Sequence, residues 1–384
     1  MANSNLTSAK RVKNDEFYTQ YFDIEKEIAA YIEYNPDVFR GKTLLLPCDD
    51  PEWSNFTKFF AQNFQKFGLK KLISTSYAAD SKNYESYYQP TLLEIHDPQY
   101  DKNKTTKNGK IYTLAYDKTG DGKTDVKDLD WRYLDGDGDF QSDEIKKLRD
   151  ESDIIITNPP FSLFRPFLSW ILEVKKQFVI IGNMNAITYK EVFPLIKENK
   201  LWLGNGFHVG NAYFSTQVSR EYAGGVYDEK TGLVKFRNVV WFTDIDHGRR
   251  HQRLPLMTME DNLKYSKHKE IKGKTVYLKY DNYDAIEVPF TDAIPSDYSG
   301  LMGVPISFLD KYSPEQFEIL GTSDNGLIDE KFKKTPGLTK EFVNDYYKAG
   351  GTGAYKEGNP TAGYYENNVA KMAYKRIFIK HKKK

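Results

Sequence analysis

Residues 153–163 read DIIITNPPFSL, a strand-like apolar run that stops at Asn158, Pro159, Pro160 and Phe161. Prolines end strands, because they lack the N–H that a ladder needs and hold φ fixed. An amide, two prolines and an aromatic ring at the end of a buried strand suit one chemical task. The exocyclic amine of a nucleobase is a poor nucleophile, since its lone pair is delocalised into the ring. The side-chain oxygen of Asn158 and the backbone carbonyl of Pro159 can accept its two N–H bonds, which favours a pyramidal nitrogen with a directed lone pair. The prolines stiffen the turn, so both acceptors are preorganised. Phe161 offers a face for stacking on the base. A methyl group carried on a sulfonium has a good leaving group, so positioning carries most of the catalysis and no metal is required.

The elements that must hold this turn are legible around it. TLLLP (43–47), KKLISTSY (70–77), QFVIIGN (177–183) and NVVWFTDI (238–245) read as buried strands, and residues 162–176 and 186–200 as helices. Asp50 and Pro51 make a helix start. Trp53, Phe56, Phe60, Phe64 and Phe67 follow at helical spacing as a core stripe, closed by Gly68. Short apolar runs alternating with helices predict an α/β fold with a mainly parallel sheet covered on both faces, whose ligands bind at the carboxyl ends of the strands. TLLEIHD (91–97) and KIYTLAYD (110–117) are expected to pair as a hairpin within an acidic insertion, about 80–133. Beyond residue 250 the pattern loosens into Tyr-, Lys-, Gly- and Pro-rich sequence ending KRIFIKHKKK, which reads as a solvated tail. The expected domains are therefore 1–250 and 251–384.

The chain has 384 residues, with 28 Tyr and 24 Phe, enough for one large core or two unequal ones. Its single cysteine, Cys48, excludes an internal disulfide and suits a reducing compartment. Cys48 reads as a small packed residue rather than a nucleophile. The opening MANSNLTSAKRVKNDEF carries no apolar leader core, and no apolar run reaches membrane-spanning length. The net charge of +1 hides an uneven distribution: 13 acids against 7 bases over residues 117–153, but 8 bases against 3 acids over 249–274 and 10 against 4 over 340–384. Basic surface is expected in the C-terminal part, where an anionic partner could sit.

The Asn-Pro-Pro-Phe turn resembles the catalytic motif of S-adenosylmethionine-dependent amino-methyltransferases. NDEFYTQYFDIEKEI (14–28), LLLPCDDPEWSNF (44–56), LDGDGDFQSDEI (134–145), DIIITNPPFSLFRPF (153–167), FVIIGNMNAITYKEVFPLIKENKLWLG (178–204), VVWFTDID (239–246) and GVPISFLDKYSPEQFEILG (303–321) are similar, in that order, to the EcoRI-type adenine-specific DNA methyltransferases. The resemblance implies a Rossmann-like methyltransferase sheet with helices on both faces and a C-terminal target-recognition region. It implies methylation of the N6 amine of an adenine flipped out of duplex DNA. Asn158, Pro159, Pro160 and Phe161 then form the catalytic turn. Pro47, Cys48, Asp49, Asp50 and Asn55 form the cofactor loop, Tyr18 and Thr19 cover the methionine end, and Asp139 and Phe140 hold the cofactor's adenine. The loop lacks the usual Gly-x-Gly, and the usual acid after the second strand is missing, with Tyr77 or Asp80 standing in its place. Arg249, Arg250, Arg253 and Lys382 are expected on DNA. The implied setting is the cytoplasm of a prokaryotic cell and a monomer off the membrane. A partner restriction endonuclease is left open.

Other readings stay beside this one. Some ribosomal RNA guanine methyltransferases share the turn, protein-glutamine methyltransferases also act on an amide nitrogen, and an N4-cytosine target is a further variant. DKTGDGKTDVKD (117–128) matches the spacing of an EF-hand-like calcium loop, with Thr at the third position and Asp at the twelfth as departures. A solvated acidic loop is the alternative, and a calcium-dependent binding module would be the non-enzymatic reading.

Overall fold

In a computed structural model of the chain, residues 17–51, 53–78, 97–207, 211–216 and 225–382 are described. They fall into two compact units. The first runs to Met184 and resumes over Leu203–His247; the second comprises Asn185–Trp202 and Gly248 onward.

Unit one begins with β1 (Tyr18–Thr19) and α1 (Tyr21–Tyr34). Ile24, Glu27, Ile28 and Tyr31 recur at i, i+3, i+4 and i+7 and form the buried stripe of α1. β2 (Thr43–Leu46), α2 (Asn55–Gln62), α3 (Phe64–Phe67) and β3 (Lys71–Ser76) follow. Next come β4 (Lys110–Leu114), β5 (Asp130–Tyr133), α4 (Asp143–Glu151), β6 (Ile154–Thr157), α5 (Phe164–Leu172) and β7 (Gln177–Asn183). β8 (Trp202–Leu203), β9 (Asn211–Ser215), β10 (Tyr227–Asp228), β11 (Leu233–Arg237) and β12 (Val239–Thr243) complete the series. The main sheet has eight strands in the order β5-β4-β3-β2-β6-β7-β12-β8. Side chains of α1, α2 and α3 pack on Leu44, Leu46, Ile154, Ile156, Val179 and Ile181 on one face, and Phe164 of α5 meets Phe242 on the other.

Several expectations change. Only β3, β2, β6 and β7 run parallel; β4, β5 and β12 are antiparallel to their neighbours. A strand buried on both faces is a continuous apolar run in either direction, so its sequence did not reveal its sense. β4 forms a hairpin with β5; TLLEIHD, its expected partner, lies outside the described residues but for Asp97. The helix expected after Asp50 starts at Asn55: the Asp50 carbonyl accepts from Trp53 and Ser54 in a preceding turn, leaving Trp53 exposed. Gly68 ends the stripe at φ 65°. A second sheet, β1-β9-β11-β10, is antiparallel throughout.

Unit two contains α6 (Phe193–Lys197), α7 (Met259–Tyr265) and α8 (Lys340–Lys348). Its strands are β13 (Ala285–Glu287), β14 (Leu301–Pro305), β15 (Phe317–Thr322), β16 (Gly363–Glu366), β17 (Val369–Met372) and β18 (Arg376–His381). The helix expected over 186–200 is reduced to a 3-10 turn and α6, with Pro194 in its first turn. The supposed tail is a correction: β18 lies between β14 and β15, with Ile377, Phe378 and Ile379 fully buried. Its lysines flank a short, continuously buried strand, which composition alone does not separate from a charge run.

Candidate active site

The carboxyl ends of β2, β3 and β6 converge on a cleft in unit one with about 600 Å³ of space, its solvent-facing mouth included. Thr157, at the end of β6, donates its hydroxyl to the Pro47 carbonyl at 2.8 Å, which seats the Asn-Pro-Pro-Phe turn beside the loop after β2. Asp49 N donates to the Thr75 carbonyl at 2.7 Å and fastens that loop to β3. Cys48 sits at φ 64°, in the left-handed region that glycine usually fills. The loop without Gly-x-Gly makes its sharp bend on this cysteine.

Among the expected residues, Tyr18, Thr19, Cys48, Asp49, Asp50, Tyr77, Asn158 and Pro160 line the cleft. The Asn158 side-chain nitrogen donates to the Phe17 carbonyl at 2.5 Å. Its oxygen, Oδ1, is buried and has no hydrogen-bond partner. Asp49 accepts from the Ser54 hydroxyl at 2.7 Å through Oδ1, while Oδ2 and the Thr19 hydroxyl are likewise buried without partners. Burial pushes the Asp49 carboxyl up to about 7, with the Ser54 hydroxyl that donates to it pulling the other way. Three polar atoms left unmatched on one cleft call for a ligand carrying hydrogen-bonding and cationic groups.

Other expected residues stand behind the walls. Asn55 donates to the Thr19 carbonyl at 2.8 Å and holds β1 against α2. Pro47 contributes its carbonyl to Thr157. Phe161 is half-buried among Phe17, Phe214 and Phe236, its centroid 5.5 Å from that of Phe236. Pro159 is buried within the turn. Asp139 lies beside Tyr77, whose hydroxyl is pushed well up by burial and by the Asp139 and Asp137 carboxylates. This loop reaches β3 because Gly138, at φ 88°, lies so close to Ser76 that a Cβ would stand 2.3 Å from its carbonyl oxygen. Phe140 departs from expectation: it is 3% exposed, packs on Phe167 and Trp170, and does not line the cleft. Asp80 lies outside the described residues.

Phe17, Ser54, Phe56 and Ser76 line the cleft without having been singled out. Ser54 had a readable signal, a serine two residues before Phe56; its hydroxyl caps α2 by accepting from Phe56 N. Phe17 acts through its carbonyl, which no side-chain pattern marks.

Two expectations are corrected elsewhere. In residues 117–128, Asp117 accepts from Gly120 and Gly122 N, and Asp128 from Lys118, Thr119 and Asp125 N. The carboxylates organise the turn itself, and among the described residues no group of three or more His, Cys, Asp or Glu could hold a metal ion. Calcium binding finds no support. In unit two, Arg249 pairs with Asp310 at 2.6 Å, and the buried Arg250 bonds Asn199 and lies 3.6 Å over the Trp202 ring. Only Arg253 and Lys382 of the four expected DNA contacts are exposed.

The family model described as "Adenine-specific methyltransferase EcoRI" matches residues 5–382. The chain is similar to the type II methyltransferase M.EcoRI of Escherichia coli, at 42% identity over 83% of this chain and 89% of that protein. It is also similar to the type II methyltransferase M.MpnI of Mycoplasma pneumoniae, at 32% identity over 90% and 94%, and to M.MgeORF184P of Mycoplasma genitalium, at 32% over 90% and 95%. No solved structure matches. The RNA, protein-glutamine and calcium-module readings find no support in these matches.

Proposed function

The chain belongs to the EcoRI adenine-specific methyltransferase family, and from that membership we infer that it is a DNA methyltransferase acting on the N6 amine of an adenine flipped out of the duplex. S-adenosylmethionine, when bound, supplies a methyl group already activated on a positively charged sulfur. Tyr18, Thr19, Cys48, Asp49, Asp50 and Tyr77 would hold it, with Asp139 behind Tyr77 and Asn55 bracing Thr19. The Rossmann-like reading of the eight-stranded sheet rests on this cleft lying at the strands' carboxyl ends.

The observation that carries the reading is the state of Asn158. Its nitrogen is committed to the Phe17 carbonyl, which fixes the amide so that Oδ1 is presented as an acceptor. That oxygen and the Pro159 carbonyl accept hydrogen bonds from the two amine N–H groups and leave the nitrogen lone pair directed outward. An acceptor already in place costs no reorganisation at the moment of transfer. Phe161 supports the base from a ring held by three neighbours. Asp49, buried and with a free oxygen, favours a cationic ligand.

Unit two, with exposed Arg253 and Lys382, is assigned the recognition of the target sequence; catalysis resides in unit one. A cognate restriction endonuclease in the same system, in keeping with the type II naming of the relatives, completes the proposal, together with monomeric action and a prokaryotic cytoplasmic setting. No helix among the described residues is long and apolar enough to cross a membrane. The test is transfer of labelled methyl from S-adenosylmethionine to duplex DNA, followed by nucleoside analysis. 6-Methyladenine is expected; label appearing in cytosine, or in RNA or protein offered alongside, overturns the assignment.

A further inference from the structure

The antiparallel sheet of unit one has one face inside and one outside. Ala212, Phe214, Val234 and Phe236 point inward, and their rings reach Phe17 and Phe161 of the catalytic turn. The residues between them point outward. Tyr213 stands opposite Lys235, and Asn211 opposite Arg237. Tyr213 is 42% exposed, Arg237 and Asn211 are exposed, and Lys235 is partly so. Neither Lys235 nor Arg237 forms an ion pair among the described residues. The only carboxylate on these four strands, Asp228, is opposite Leu233 on the edge strand β10, where it accepts from Lys230 N.

The register joins this face to the cleft. Tyr18, which lines the cleft, pairs with Ser215, and Ser215 pairs with Leu233. Cross-strand partners share a face, so a continuous outer surface runs from the cleft wall to Tyr213 and Lys235, then to Asn211 and Arg237. Two residues along a strand advance about 7 Å. The two cations therefore lie roughly 7 and 14 Å from the row that borders the site of transfer. Charges on strands commonly guard exposed edges; β10 covers β11 at Leu233 and Val234, and Lys235 N still donates to the Val226 carbonyl, so only Arg237 stands where β11 is an edge.

We propose that this outer face, through Lys235, Arg237 and Tyr213, holds the sugar-phosphate backbone of the duplex beside the flipped adenine, as a DNA-contacting surface within the catalytic unit. The proposal rests on the DNA methyltransferase reading. Cations and a tyrosine hydroxyl on a sheet face are phosphate donors; they carry no base code. Anchoring the backbone next to the cleft keeps the duplex in register while one nucleotide leaves the stack.

The test uses the full-length protein with Lys235→Gln and Arg237→Gln combined, titrated with unrelated duplexes of equal length across a salt series. Losing two phosphate contacts should lower the slope of log affinity against log salt by about 1.8 and weaken binding roughly 10- to 60-fold near 0.1 M salt. The loss should be equal for all duplexes, as phosphate contact requires. S-adenosylmethionine binding and Tm should hold. The charge-conserving pair Lys235→Arg with Arg237→Lys should keep the wild-type slope. An unchanged slope in the glutamine variant, a loss confined to one duplex sequence, or an equal loss in the charge-conserving variant overturns the proposal. Wild-type transfer to DNA alongside an unchanged variant slope removes this surface alone, whereas a wild type that methylates no DNA removes the underlying reading as well.

Discussion

Asn158 is defined as much by what its nitrogen does as by what its oxygen awaits. Replacing it with alanine removes the acceptor while leaving the walls made by Thr19, Asp49 and Tyr77. Methyl transfer should fall by roughly 100-fold or more, the scale of one lost preorganised hydrogen bond, while S-adenosylmethionine affinity measured by calorimetry changes little. Asp49 allows a test in pH. Its folded pKa of about 7 stands above the ordinary 3.8, so the folded state keeps a proton that the unfolded chain has lost. Its contribution to stability is therefore greatest at low pH and declines as pH rises between about 4 and 7. Cofactor binding should run the other way and tighten through pH 7, as the carboxylate becomes available to a cation. Asp49→Asn should remove both trends. At pH 8 it should raise Tm, on the order of 1–3 °C, yet weaken cofactor binding roughly 10- to 100-fold. Melting curves and calorimetry at several pH values decide this. The sequence drew attention to Asn158 and Asp49 because each stands within three residues of the end of an apolar strand, and both line the cleft. The packing of Phe140 and Arg250 was not legible, because their neighbours are distant: Trp170 lies against one ring and Trp202 beneath the other's charge, 30 and 48 residues away in the chain.

At the scale of elements, the cleft depends on how loops are fastened to strand ends. The 135–140 loop holds β3 through Ala78 N on the Asp137 carbonyl at 2.7 Å and through the close approach of Gly138 to Ser76. Gly138→Ala meets two obstacles at once, a left-handed backbone and a Cβ with no room against a backbone oxygen. Tm should drop by several degrees, and S-adenosylmethionine affinity should fall with it, because Asp139 and Tyr77 lose their common support. A variant that melts and binds like the wild type would show that the loop is not needed to build the cleft. The sequence announced this glycine as part of an acidic turn, but not the carbonyl it rests on. It announced the strands by their apolar runs, but not the reversed direction of β12. Both depend on partners chosen in three dimensions.

At the scale of the whole molecule, unit two is assembled from two stretches of chain. Residues 185–202 give Asn199 and Trp202 to Arg250, and the Thr188 carbonyl to the Asn325 amide. A fragment spanning 248–382 should therefore leave Arg250 buried without its partners and melt well below a version carrying 185–202 through a linker; equal melting curves would show that the short stretch is dispensable. The expected boundary near residue 250 was drawn from a change in composition, which cannot register an early segment that joins a later body. The chain crosses between its two units three times, at 184/185, 202/203 and 247/248. A single recombination between two related genes near the last crossing would thus create a chimaera whose second unit is of mixed parentage, its arginine from one ancestor and the tryptophan beneath it from the other. If this unit reads the target, new specificities in the lineage must arise by point substitution or by paired exchanges, rather than by trading one contiguous cassette.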